Sequence, residues 1–328
     1  MDTSAVPVVD IRPFLDGTGR ESVVTAVAEA NERIGFLVIT GHGVPDSSID
    51  RVRATALEFF KLPAEEKCRY VPEERWFFRG YEPLGGSALA RSKGMQTPPD
   101  LCELFRISRF DDPRTAAEAG YREGLEYFFG PNIWPERPTA LRPALLDYYA
   151  QLEALGASLM RIFALALGLS EAYFDEFIDR HITNLCLNYY PAQTTPPLPG
   201  QLRRGAHTDY GSVTILHQDD APGGLQVRVG GEWEDVPHLP GSYVVNIGDL
   251  LARWTNDRWV STVHRVVNPG SADAGRDRLS IPFFHQPNFD ALIACLPTCR
   301  SADQPPKYEP VTSGEWVRRQ TRRQVGVE

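Results

Sequence analysis

The stretch HTDYGSVTIL, residues 207–216, sets a histidine and an aspartate two positions apart, just ahead of a β-branched run that reads as a strand. Side chains alternate along a strand, so His207 and Asp209 share a face if the stretch is extended. They are then either a pair of metal ligands or a polar corner of a sheet, and their surroundings decide which. Working outward, the sequence period is two from Thr183 onward. NLCLNYY, SVTIL, LQVRV, YVVNIG, WVSTVHRVV and RLSIPFFHQ are short strand-like runs separated by Gly, Pro, Asn and Asp turns. Such runs at short intervals specify an antiparallel sandwich or jelly roll rather than βαβ units.

Upstream, the texture changes. GFLVITGHGV (35–44) is a strand-length apolar run between helical patterns at 21–34 and 47–60. Residues 72–135 read as irregular, rich in Gly, Pro and aromatics (RWFFRGYEPLGG, FFGPNIWPERP), a composition suited to a lid or pocket wall. Leu141, Leu145, Tyr148, Leu152, Leu155, Leu159 and Ile162 recur at helical spacing, which predicts one long amphipathic helix over 138–167 backing a sheet and ending near Gly168. TSGEWVRRQTRRQ near the C-terminus reads as a short surface helix. The expected organisation is mostly β with flanking helices in one compact unit. It has an N-terminal region of helices, strand and loops (1–135), a backing helix and connection (136–180), a jelly-roll core (181–290) and a C-terminal extension (291–328).

Composition excludes several functions. The 328 residues are 42% hydrophobic and 23% charged with a net charge of −9, and no Lys/Arg-rich run offers a surface for phosphates, which argues against nucleic acid as a partner. No apolar run approaches the ~18 residues that span a bilayer, and the opening MDTSAVPVVDIRPFLDG lacks the basic start and apolar stretch of a secretory signal, so the expectation is a cytoplasmic chain off the membrane. Five cysteines without a C-x-x-C spacing suggest reduced thiols, not a disulfide framework or zinc knuckle. A monomer is the default assembly.

Two further motifs bear on the His-x-Asp pair. STVHRVV places His264 within an apolar run, where it either packs neutral in the core or binds something. RLS places Arg278 and Ser280 on one strand face, and an arginine fork with a hydroxyl is a carboxylate anchor. Two imidazoles and one carboxylate form the facial triad that leaves positions open on Fe(II). Metal and organic acid would then meet inside one barrel.

With these motifs in place, the chain resembles the iron(II)- and 2-oxoglutarate-dependent oxygenases related to isopenicillin N synthase. The resemblance is carried by HTDYGSVTIL, GGLQV, VNIGDLLARWTNDRWVSTVHRV and RLSIPFFHQPN, and upstream by GFLVITGHGV, GYEPLG and GPNIWPE. It implies a distorted double-stranded β-helix (jelly roll, cupin-like) with iron inside. His207, Asp209 and His264 match the iron ligands, and Arg278 and Ser280 match the pair that holds the distal carboxylate of 2-oxoglutarate. Asn188 and Tyr190, in NYYP, match positions that often reach the cosubstrate. The implied reaction oxidises a small-molecule substrate with O2 by hydroxylation, desaturation or cyclisation, and releases succinate and CO2. In DLCELF, Cys102 and Leu104 replace the Lys and Ser of many members, which puts substrate identity in doubt rather than the iron chemistry.

Phe284 and His285, just past the carboxylate anchor, are candidates for substrate contact, as are Arg79 and Tyr81 in the irregular region. His42 reads as a turn residue, and His181, His217 and His238 as structural or surface groups. Two other functions stay open: an isopenicillin N synthase-like oxidase that uses O2 without 2-oxoglutarate, and a non-catalytic cupin-like binding protein. Four lysines among 34 basic residues give the Arg bias of high-GC bacteria, where natural-product modification is a common use of such enzymes.

Overall fold

The computed structural model describes residues 5–74, 77–120 and 124–325. Along the chain run β1 (Val8–Asp10), β2 (Phe36–Thr40), β3 (Gly80–Glu82), β4 (Glu103–Ser108), β5 (Asn184–Tyr190), β6 (Arg204–His207), β7 (Val213–Gln218), β8 (Leu225–Val229), β9 (Glu232–Asp235), β10 (Tyr243–Ile247), β11 (His264–Val266) and β12 (Arg278–His285). They form an eight-stranded sheet, ordered β1-β2-β10-β7-β12-β5-β4-β3, and a four-stranded sheet, ordered β6-β11-β8-β9. Only β1 and β2 pair in parallel; the other pairs in both sheets are antiparallel. This is the jelly roll that the period-two runs specify, and each of those runs supplies a strand.

Alternation sorts the residues of the larger sheet onto two faces. Leu185, Leu187 and Tyr189 of β5, Leu279, Ile281 and Phe283 of β12, and Val213 and Ile215 of β7 join the main apolar cluster beneath the helices. Asn184, Cys186, Asn188 and Tyr190, then Arg278, Ser280, Pro282 and Phe284, then Thr214 and Leu216 face a cavity between the sheets. The helix Leu141–Ala166 backs the sheet and buries Leu141, Leu145, Tyr148, Leu152, Leu155, Leu159 and Ile162, each contributing ~1.5–3 kcal/mol of gross apolar stabilisation. It stops where expected: Gly168 takes φ +72°, and the Leu169 N–H closes back on the Ala164 carbonyl at 2.9 Å.

The described residues of 72–135 are more regular than the sequence suggests. They contain β3 and β4, and all six residues of β4 are buried. The strand is masked because each face carries a charge. Glu103 points to the helix side, where Lys67 and Tyr81 bond its carboxylate, while Arg106 points into the cavity and pairs with Glu82 at 2.8 Å. The C-terminal helix, Ser313–Val325, is also more than a surface element. Val317 and Thr321 on its inner side line the cavity, and Trp316 Nε1 donates to the Tyr210 carbonyl at 3.0 Å.

Candidate metal and cosubstrate site

His207 closes β6 and His264 opens β11, and the two residues are cross-strand partners with ring centroids 4.3 Å apart. Asp209 sits in the turn after β6, where its carbonyl accepts from the Asp249 N–H at 2.8 Å. That turn lies directly on the backbone of Gly248, where a Cβ would fall 2.2 Å from the Gly211 carbonyl oxygen, so the approach requires glycine. His207 Nε2 and His264 Nε2 lie 3.7 and 3.6 Å from Asp209 Oδ1. The three donor atoms all lie within 4.8 Å of one another, close enough to converge on one ion.

The surrounding bonds set the donors for a cation. His207 Nδ1 donates to the Gly205 carbonyl at 2.8 Å and His264 Nδ1 to the Thr262 carbonyl at 3.1 Å, which turns both Nε2 atoms toward Asp209. Asp209 Oδ2 accepts from Thr214 Oγ1 at 2.6 Å and Asn246 Nδ2 at 2.7 Å, leaving Oδ1 turned to the rings. Burial, with His264 alongside, pushes the His207 imidazole down to about 3. Burial alone would raise the Asp209 carboxyl, but the two imidazoles and the bonds from Asn246 and Thr214 outweigh it and hold the group below its ordinary range. The site therefore keeps Asp209 in the carboxylate form that a cation needs. The donor set fits Fe(II).

A second feature points to an anion beside that cation. Arg278 is only 2% exposed, yet its Nε and Nη1 have no hydrogen-bond partner. Nη2 makes one long bond to Gln218 Oε1 at 3.4 Å, and Asp219 Oδ1 stands 3.8 Å from Nε. Burying a guanidinium with idle N–H groups is costly unless a ligand carboxylate completes it. Tyr190 lies opposite Arg278 and stacks its ring 5.2 Å from the guanidinium carbon, and Ser280 lies between Asn188 and Gln218. His207, Asp209, His264, Arg278, Ser280, Asn188, Tyr190 and Phe284 all line one cavity, with about 1020 Å³ of empty space counted out to its open mouth.

Three expected contact residues lie elsewhere. His285 alternates away from Phe284, so it faces the long helix. Its Cδ2 would meet a Cβ on Gly156 at 3.1 Å, and its Nδ1 lies 3.1 Å from Ser212 Oγ. Arg79 is buried but turned from the cavity, donating to the Phe78 and Phe128 carbonyls. Tyr81 points to the helix side and donates to Glu103 Oε2 at 2.6 Å. Among the residues that reach the cavity instead are Phe78, Arg106, Tyr127, Asn184, Arg204 and Gln286. Asn184 and Gln286 were within reach of the two-residue period, since they fall in phase with Asn188 and Phe284. The two arginines carried no such signal.

The His285 placement has a measurable consequence. Burial, with His181 nearby, pushes its imidazole from 6.5 down to about 3, so the unfolded chain takes up this proton first as the solution is acidified. Stability contributed by the neutral ring is complete above about 6.5 and is lost as pH falls toward 3. In thermal melts over that window, His285→Asn is expected to show a shallower acid decline than the wild type, with the KM for 2-oxoglutarate unchanged. A raised KM with an unaltered acid slope would return His285 to the cavity.

A jelly roll that brings a His-Asp-His cluster and a buried, incompletely hydrogen-bonded arginine into one cavity fits a non-haem iron enzyme with an organic-acid cosubstrate. Comparison with known proteins agrees. The 2OG-Fe(II) oxygenase superfamily model matches residues 182–287, and the model for the N-terminal region of non-haem dioxygenases in morphine synthesis matches residues 6–137. The chain is 37% identical to a 2-oxoglutarate-Fe(II) type oxidoreductase, hxnY, of Emericella nidulans, with 97% of this chain and 90% of the relative covered. It is 34% identical to a homoarginine-6-hydroxylase of Oryza sativa subsp. japonica, with 96% and 95% covered. The crystal structure of a full-length Neurospora crassa protein in complex with α-ketoglutarate and thymine superposes with a TM-score of 0.84 at 32% identity, covering 99% of this chain and 98% of that one.

The chain belongs to the 2-oxoglutarate- and Fe(II)-dependent oxygenase superfamily. It is an oxidoreductase that oxidises a small molecule, with 2-oxoglutarate leaving as succinate and CO2. No helix among the described residues is long and apolar enough to cross a membrane.

Proposed function

We propose that His207, Asp209 and His264 hold the iron, that Arg278 and Ser280 bind the distal carboxylate of 2-oxoglutarate, and that Asn188 and Tyr190 border the same ligand. The observation that carries this reading is the buried Arg278 guanidinium, two of whose nitrogens make no hydrogen bond, in the cavity that holds the His-Asp-His cluster. Iron(II) with O2 and 2-oxoglutarate supplies the oxidising power; the chain's own residues bind, orient and exclude water. Arg278 fixes one end of the cosubstrate by charge and fork geometry. Thr214 and Asn246 keep the Asp209 carboxylate aimed at the histidines. Phe284, Phe78, Leu89 and Val317 give the rest of the cavity apolar walls, which keep water from the reacting centre.

Substrate lies on the side of Phe78, Arg106, Tyr127 and Phe284, beneath the C-terminal helix, and the thymine held by the Neurospora crassa protein indicates the size of molecule this architecture admits. Free thiols at Cys68, Cys102, Cys186, Cys295 and Cys299 suit a reducing compartment, the cytoplasm. Succinate formed per product, followed with the iron-loaded protein, tests the cosubstrate role. One-to-one proportion is expected, and product formed with 2-oxoglutarate omitted would overturn it.

A further inference from the structure

The register of the larger sheet maps the cavity into levels. Arg278 faces Tyr190, Ser280 faces Asn188 and Gln218, and Phe284 faces Asn184 and Thr214. Thr214 bonds Asp209, which sets the metal cluster beside the Phe284 level. Gln286 lies two residues further on, about 6.6 Å along the strand direction and away from the carboxylate anchor. It lines the cavity at 4% exposure, and its Oε1 has no hydrogen-bond partner. The carboxamide also packs on Gly211, where a Cβ would meet its Nε2 and Oε1 at 2.8 Å, so it is held in place from behind.

The charges on this side are already compensated. Arg106 is paired with Glu82 at 2.8 Å, and Arg204 with Asp100 at 3.3 Å. Among the described residues lining this end, neither a carboxylate nor an ammonium group on a substrate would find an unpaired counter-ion. The walls are aromatic, with Phe78 stacked 4.6 Å from the Arg106 guanidinium and Phe284 opposite Asn184. We infer that the substrate is an uncharged, planar cyclic amide or imide whose N–H donates to Gln286 Oε1, and that Gln286 is the residue that selects for this donor. The inference rests on the site reading above.

An acceptor buried without a partner is penalised, and a substrate N–H removes the penalty while an N-methyl group cannot. The discrimination expected from one such bond is roughly 5- to 150-fold. The test uses iron-loaded protein with 2-oxoglutarate and measures succinate formation stimulated by matched probes: cyclic amides and imides, their N-methylated counterparts, and carboxylates of similar size. Uncharged N–H members should stimulate turnover, with kcat/KM roughly 5- to 150-fold above their N-methyl partners. Gln286→Met should bring that ratio close to unity, whereas Gln286→Glu should keep a preference for the N–H form. Stimulation by carboxylates, an N-methyl series as active as its parents, no stimulation by any cyclic amide or imide, or an unchanged ratio in Gln286→Met would each overturn the inference. Binding of 2-oxoglutarate to the wild type is measured alongside. Loss of that binding would count against the site reading itself, whereas intact binding with a failed ratio would count against Gln286 alone.

Discussion

Replacing Arg278 by leucine is expected to weaken 2-oxoglutarate binding by roughly 10- to 150-fold, the loss of a charge-assisted hydrogen-bonded pair worth about 1.5–3 kcal/mol. The expectation follows from the idle Nε and Nη1 atoms of a side chain only 2% exposed. The fold should survive the change, because Asp219 keeps the Leu279 N–H at 2.7 Å and the Arg53 guanidinium at 3.6 Å. Anaerobic titration of the iron-loaded variant with 2-oxoglutarate reads the effect, and a melting curve of the same sample separates it from unfolding. Arg278→Lys should fall between the two, since lysine keeps the charge but not the planar fork. Equal affinity in wild type and leucine variant would remove Arg278 from the cosubstrate site.

Removing His264 should have a still larger effect. His264→Ala leaves one imidazole and one carboxylate, and because loss of a bond that merely orients a ligand costs about 10- to 100-fold in metal affinity, loss of a ligand itself should exceed about 100-fold. Iron per chain after desalting and succinate formation should both fall to background. Thr214→Val removes only the 2.6 Å bond to Asp209 Oδ2 and should sit in the lower range, with iron affinity reduced but recoverable at higher iron. The two variants together separate ligand from support. An His264→Ala protein that retains iron and turnover would mean the metal is held elsewhere.

Which parts of this site can be read from sequence depends on parity. Within β12 the alternation places Arg278, Ser280 and Phe284 on the cavity side, and reading on by two gives Gln286 rather than its neighbour His285. Histidine attracts attention by its chemistry, but the pleat turned it toward Gly156. Phe78 and Arg79 repeat the pattern in a loop, where no period exists to choose between them: the aromatic ring reached the cavity, and the guanidinium found carbonyls at Phe78 and Phe128 instead. The strand β4 was hidden for a different reason. Its charges, Glu103 and Arg106, are each neutralised by residues distant in sequence, Lys67 and Glu82, so nothing within the run itself shows that it can be buried. The His-Asp-His cluster was legible because two of its members share one short motif and the third lies in an apolar run that gives an imidazole little reason to be there.

Iron and 2-oxoglutarate are expected to share the cavity in a fixed polarity. A crystal structure grown without oxygen in the presence of Fe(II) and 2-oxoglutarate, with anomalous data collected at the iron edge, measures this directly. The expected result is an anomalous peak bounded by His207, Asp209 and His264, with the distal carboxylate of the cosubstrate on Arg278 and Ser280. A peak at any other group, or a cosubstrate whose distal carboxylate avoids Arg278, would contradict it.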